Sequence, residues 1–392
     1  MEQELTRALA DAIVEAEKII ATAPHIDSEQ DLNEGYEYLA GSIRAAVQSA
    51  FAHEKDFTFF MRSATPYTKL GLDNPDTLYF SARIRDDAEY VVTGTRGATA
   101  DLSFQILSGD YNPDDVPDSL QAFDDREVQI EPDGSFVMYF GPAGAEGGRA
   151  NYFTVAPGAN MLLVREVWSD WDARPGSIRI QRVDKIGAAP TPPGRDLLAR
   201  KFDSAAKSLV QQLKTFLQFP EWFYLKLPVN TMTEPRLTPG GLATQYSSVG
   251  HYELADDEAM IVTVPVSEAP YQGFQLGSMW YVSLDFSNHQ TSLTSHQAQH
   301  DPDGMIRFVV SAQNPGVATW LETTGHRRGY LQIRWQRTAR DYTAADGPQV
   351  EVVPFAELPS RLAYHAEAGV TPAQWRDRIA ARQAAVANRM LG

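Results

Sequence analysis

Residues 76–90 read D-T-L-Y-F-S-A-R-I-R-D-D-A-E-Y, and residues 257–271 read D-E-A-M-I-V-T-V-P-V-S-E-A-P-Y. Each run opens on an aspartate and closes on a tyrosine 14 positions later. A hairpin turn then follows in each half, E-P-D-G-S-F around Asp133-Gly134 and D-P-D-G-M-I around Asp303-Gly304. From Asp133 to Arg165 in N-M-L-L-V-R-E is 32 positions, and from Asp303 to Arg334 in G-Y-L-Q-I-R-W is 31. Four anchors in one order at nearly equal spacing predict an internal duplication. The competing reading is that P-D-G turns recur by chance in any β-rich chain.

Outward from these runs the pattern stays β-rich. Short strand-like stretches stand at 57–62, 77–84, 88–95, 100–107, 135–140 and 159–168, then at 259–266, 278–286, 305–311 and 329–337. Gly, Pro, Asn and Asp separate them, as in an antiparallel sandwich or jelly roll. Helical spacing marks 3–22 (Leu5, Leu9, Ile13, Ala16, Ile20) and 29–51 (Leu32, Tyr36, Leu39, Ile43, Val47). Asp27 or Ser28 is a plausible cap for the second of these. A third helix over 195–217 follows a linker holding Pro190, Pro192, Pro193 and Gly194, and Thr371-Pro372 starts a last helix over 371–391. The expected fold is mainly β with flanking helices (α+β): a duplicated antiparallel β-sandwich or jelly-roll body with helical N- and C-terminal segments. Its divisions are 1–54, a helical segment; 55–190, the first β half; 191–222, a linker helix; 223–354, the second β half; and 355–392, C-terminal helices.

Composition narrows the function. The 392 residues exceed one ordinary core and are 43% hydrophobic. A net charge of −17 repels phosphate backbones, so neither nucleic acid nor an anionic membrane is an expected partner. Cysteine is absent, which excludes disulfides, thiolate nucleophiles and cysteine-ligated metal centres. Met1-Glu2-Gln3-Glu4 resembles no secretory leader, and no apolar run approaches the roughly 20 residues of a membrane helix, so a cytoplasmic location is expected.

The familiar catalytic signatures, G-x-S-x-G, P-loop, HExxH and the dinucleotide glycine fingerprint, are missing. The glycines from Gly141 to Gly148 read as a plain loop. Asp110, Asn112, Asp114, Asp115 and Asp118 resemble the opening of a calcium loop, but Asp115 stands where glycine is needed and Gln121 where glutamate is needed. His296 and His300 stand at i, i+4 in a loop-like composition, and no metal or cofactor is expected.

The second β half holds five of the eight histidines, His251, His289, His296, His300 and His326. Alternation puts Tyr281, Ser283 and Asp285 on one face of 280–289, and Gln332 with Arg334 opposite Leu331, Ile333 and Trp335. A buried Arg334 requires an anionic partner, and Asp285 is the candidate by type. In the loop 320–329, glycines bracket His326, Arg327 and Arg328, with Trp320 and Glu322 upstream. A histidine beside a carboxylate suits general acid–base work, and an arginine suits an oxyanion or carboxylate. The candidate catalytic set is therefore His326, Glu322, Arg327, Arg334 and Asp285. The candidate substrate-binding set is Trp320, Tyr281, Trp280, His289, Asn288 and Tyr79. Each has a structural alternative: a buried ion pair, a solvated loop or ordinary core.

Four stretches stand out: N-P-D-T-L-Y at 74–79, W-Y-V-S-L-D-F at 280–286, D-P-D-G-M-I at 301–306 and N-P-G-V-A-T-W-L-E-T-T-G-H-R-R-G-Y-L-Q-I-R-W at 314–335. In these the chain resembles the family of domain of unknown function 1214, whose members often carry the related domain of unknown function 1254 upstream. The resemblance implies a β-sandwich or jelly-roll body, with Trp320, Gly325, Gly329 and Arg334 at family motif positions; it implies no reaction. Three readings stand. The first is a cofactor-independent, non-redox lyase, hydratase or hydrolase acting on a small hydroxylated apolar molecule such as a terpenoid, steroid or aromatic. The second is a binding jelly roll that holds a carbohydrate or other small ligand. The third is a structural protein forming homo-oligomers.

Overall fold

The computed structural model describes residues 4–52, 54–109, 118–237 and 245–391. Two helices come first, α1 (Arg7–Ala21) and α2 (Glu29–Ala52). Ala12, Ala16 and Ile20 recur every four residues on the buried stripe of α1. Ser28 caps α2 reciprocally: the Asp31 amide donates to Ser28 Oγ at 3.1 Å, and the Ser28 amide donates to Asp31 Oδ2 at 3.1 Å. The long helix α3 (Arg195–Phe223) runs past the predicted end at 217. After the short α4 (Leu358–Arg361), α5 (Pro372–Leu391) opens with Thr371 and Gln374 exchanging the same kind of cap.

The described residues hold nineteen strands in four sheets. The first half contains β1 (Met61–Ala64), β2 (Thr77–Arg83), β3 (Tyr90–Thr95), β4 (Asp101–Leu107), β5 (Ser119–Asp124), β6 (Ser135–Gly141), β7 (Tyr152–Thr154), β8 (Met161–Val167) and β9 (Ser177–Arg182). The second contains β10 (Thr231–Met232), β11 (Arg236–Leu237), β12 (Gln245–Glu253), β13 (Glu258–Pro265), β14 (Tyr271–Gly277), β15 (Ser292–Thr294), β16 (Met305–Ser311), β17 (Trp320–Glu322), β18 (Arg328–Gln336) and β19 (Gln349–Pro354). Sheet orders are β1-β2-β8-β4-β5 with β7-β6-β3-β9, and β10-β12-β18-β14-β15 with β17-β16-β13-β19. Each strand of the first half has a counterpart in the second at the same place. Both halves even share the one parallel pair, β6 with β7 and β16 with β17. The body is a duplicated sandwich, mostly antiparallel.

The halves match one strand out of register with the runs that suggested them. Residues 76–90 hold β2 and the start of β3, whereas 257–271 hold β13 and the start of β14. The true counterparts are β2 with β12, β3 with β13 and β4 with β14, so Asp86-Asp87 matches Asp256-Asp257. Both runs are a strand followed by an acidic turn, and that shared composition disguised the shift. The P-D-G turns and the Arg165/Arg334 pair are true counterparts: Arg165 lies opposite Ser103, and Arg334 lies opposite Gly273, on equivalent strands.

Each sandwich closes on its own core. Tyr90, Val92, Phe104, Met138, Leu162 and Val164 fill the first; Met260, Val262, Phe274, Phe308, Ile333 and Trp335 fill the second. Aromatic stacking adds to the first, with Phe123 and Phe153 ring centres 4.0 Å apart. α1, α2 and α3 pack around Trp280 and Val282. Buried polar contacts join the halves. The Tyr271 hydroxyl donates to Asp76 at 2.8 Å, Arg337 pairs with Asp101 and Asp125, and Thr294 donates to the Ser169 carbonyl at 2.6 Å.

Two strand expectations miss: the run at 57–62 is strand only from Met61, and 278–286 is no named strand. Residues 278–286 form turns, because Tyr281 takes φ 59 and its carbonyl accepts from the Leu72 amide at 2.6 Å. The alternation read across Tyr281, Ser283 and Asp285 therefore does not apply. Most of the calcium-like segment, 110–117, lies outside the described residues.

Candidate functional site

Between the two sandwiches lies a cleft of about 1710 Å³. Its walls are the outer faces of the β1-β2-β8-β4-β5 and β10-β12-β18-β14-β15 sheets, and α2 and α3 roof it. Strand alternation makes those walls. On β18, Leu331, Ile333 and Trp335 enter the core while Gln332, Arg334 and Gln336 line the cleft. On β8, Leu162 and Val164 go inward while Met161, Leu163 and Arg165 line it. The roof face of α3 is polar toward its start, with Lys207 and Gln211, and aromatic toward its end, with Phe216, Phe219 and Trp222.

The cleft runs against the charge of the molecule. Among the described residues its lining carries nine Arg or Lys side chains and three Asp, in a chain of net charge −17. Arg334 is 8% exposed. Its guanidinium donates to Gln275 Oε1, to the Leu72 carbonyl at 2.8 Å and to Gln332 Oε1 at 2.8 Å. All three acceptors are neutral. Among the described residues no carboxylate lies within 4.0 Å of it. The nearby Asp73 carboxylate is engaged by Ser283, whose hydroxyl donates at 2.8 Å. Gln332 Oε1 also accepts from the Tyr224 hydroxyl at 3.1 Å, and Tyr224 is hydrogen-bonded to Tyr281. Burial, then the neighbouring Tyr281, lifts the Tyr224 phenol well above its usual range.

Of the candidate catalytic and substrate-binding residues, Arg334, Tyr281 and Tyr79 line this cleft. The others do not. His326 is 6% exposed, and its Nε2 meets Glu34 of α2 at 2.8 Å rather than Glu322. Burial lowers its pKa, but the Glu34 hydrogen bond and charge outweigh that, and the net shift is upward. It clamps α2 to the second sandwich. Glu322 instead bonds His289 Nδ1 at 2.9 Å. Arg327 lies at the surface in an ion pair with Asp256. Asp285 is not the partner of Arg334; its carboxylate accepts from the amides of Ser287 and Asn288 and from the Asn288 side chain. Trp320 belongs to a core with Trp375, ring centres 4.9 Å apart. The Trp280 indole donates to the Asp31 carbonyl at 2.7 Å and anchors the helices. His300 bonds Ser295, and the described residues contain no group of three or more His, Asp or Glu side chains placed for a metal.

Sequence reasoning did not select Gln275, Gln105, Arg165 or the α3 face. Arg165 carried a signal, since it anchored the duplication opposite Arg334.

No family model matches the chain, and no curated protein matches it. Among solved structures, the chain is similar to an uncharacterized protein from Burkholderia cenocepacia. That likeness has 29% identity and a TM-score of 0.80, covering 91% of this chain and 100% of that one. A protein from Vibrio parahaemolyticus follows at 12% identity and a TM-score of 0.46, covering 81% of this chain and 98% of that one. The first supports the duplicated sandwich with its helices. Among the described residues, no helix is long and apolar enough to cross a membrane.

Proposed function

We propose that the cleft binds a small organic carboxylate with an apolar body, held by its anionic end at Arg334. One observation carries this reading: a buried arginine facing a cleft with only neutral acceptors. A desolvated guanidinium without a counter-charge costs several kcal/mol, and a carboxylate ligand accepting from its remaining N–H groups relieves that cost. The excess of basic lining side chains attracts such a ligand, while Phe216, Phe219 and Trp222 offer its body an apolar seat. The family resemblance belongs to the same proposal and adds no chemistry to it.

The test is calorimetric titration with decanoate and its neutral counterpart decanol. Arg334→Gln is expected to weaken decanoate about 10- to 100-fold, the range of one charge-assisted hydrogen-bonded contact. Decanol should bind weakly to both proteins. Equal binding of decanoate and decanol, or an unchanged affinity in a folded Arg334→Gln, overturns the reading.

A second reading adds turnover, as a non-redox lyase or hydratase. Its observation is Tyr281, a cleft residue held at φ 59, a strained conformation for a tyrosine, and linked through Tyr224 and Gln332 to Arg334. Tyr281 is then the proton donor beside the bound anion. Tyr281→Phe should abolish turnover of a hydroxylated carboxylate and leave its affinity within about threefold; turnover retained in that variant rejects the role.

A further inference from the structure

The duplication extends to the chemistry of the cleft. On equivalent strands β4 and β14, Gln105 and Gln275 occupy the same place, and on β8 and β18 so do Arg165 and Arg334. The contacts repeat. Arg165 Nη1 donates to Gln105 Oε1 at 2.8 Å, as Arg334 Nη1 donates to Gln275 Oε1. Each glutamine then spends its amide nitrogen on a neighbouring segment: Gln105 on Ser119 Oγ at 2.8 Å, Gln275 on the Asp73 carbonyl at 3.0 Å. Each arginine is thereby held by a neutral carbonyl oxygen and aimed by a fixed amide. Both line the same cleft. Among the described residues, Arg165, like Arg334, has no carboxylate within 4.0 Å.

Resting on the carboxylate reading of Arg334, we infer that the Arg165–Gln105 pair is a second anion subsite. The ligand is then an organic dicarboxylate that spans the cleft from one sandwich to the other. One guanidinium at each end matches the single charge of a carboxylate in a charge-assisted hydrogen bond. The walls and roof of the cleft also present Leu72, Leu107, Met161, Leu163 and Phe216, which suit an apolar spacer. Joining two anions in one molecule makes the second contact intramolecular, so affinity should rise steeply once the spacer reaches both subsites.

The experiment is calorimetric titration of the whole chain with α,ω-dicarboxylates of increasing length, from succinate to sebacate, beside monocarboxylates of the same lengths. The expected result is an optimum length at which the diacid binds at least about 10-fold tighter than its monoacid. Arg165→Gln should reduce the diacid to monoacid affinity and leave the monoacid within about threefold, and Arg165→Lys should restore part of the diacid advantage. If monoacids bind through Arg334 but no diacid binds tighter, or if a folded Arg165→Gln keeps the diacid advantage, the second subsite is refuted and the first survives. If neither monoacids nor diacids bind, the carboxylate reading itself has failed and the second subsite falls with it.

Discussion

Asp76 is one of the buried joints between the two sandwiches, and replacing it measures how firmly that joint couples them. The side chain is 1% exposed. The Trp171 indole donates to one carboxylate oxygen at 2.7 Å, and the Tyr271 hydroxyl from the other half donates to the second at 2.8 Å. Asp76 also supplies negative charge to Arg382 and Arg389 of α5, both buried against Trp171. Burial drags these guanidinium groups down to about 9 and about 10, and Asp76 is the largest influence holding them up. Two hydrogen bonds to a charged acceptor are worth about 1.5–3 kcal/mol each. Against that stands the burial of the carboxylate itself, which raises its pKa. The balance for Asp76→Ala is a loss of about 4 kcal/mol. Asp76→Asn preserves shape and an acceptor for Trp171 but removes the charge, and should lose about 2 kcal/mol. Urea denaturation followed by tryptophan fluorescence and circular dichroism reads both values. A loss under about 1 kcal/mol for Asp76→Ala would show that the latch is ornamental.

The His326–Glu34 clamp should make stability depend on pH. Its folded pKa is raised above 6.5, so its contribution is complete below that value and fades as pH rises through the folded pKa. Thermal midpoints of wild type and Glu34→Gln should therefore lie furthest apart in mildly acidic buffer and converge in alkaline buffer; a gap that widens with pH contradicts the clamp. Trp320→Ala empties a packed site against Trp375 and should lose about 3–5 kcal/mol while leaving carboxylate affinity unchanged; weakened affinity in a folded variant would return Trp320 to the site. Arg327→Ala removes a solvent-exposed pair with Asp256 and should alter neither the melting midpoint nor binding; a change in binding would restore its proposed role.

The sequence carried the two-part β body because that information is local. Turn residues such as Asp133-Gly134 and Asp303-Gly304 fix where hairpins close, and apolar spacing fixes which stripe of α1 or α3 is buried. It misplaced the copies by one strand, since a strand plus an acidic turn looks alike wherever it occurs. Around the histidines and the Gly325–Gly329 loop, polar residues cluster in sequence. In the fold His326 turns away to Glu34, 292 positions upstream, a partner no local pattern announces.

Alternation on β18 placed Arg334 opposite the core face, and the duplication placed Arg165 at its counterpart. Whether a carboxylate faced either arginine depended on how two sheets and the roof of α3 came together. Asp285, the partner suggested by type, is spent on its own turn, and Asp73 is held by Ser283. Composition and periodicity mark the helices and the strand-rich halves because those are short-range properties of the chain. The cleft, its reversed charge and its two uncompensated arginines arise from contacts between segments hundreds of residues apart, and only the tertiary structure decides those.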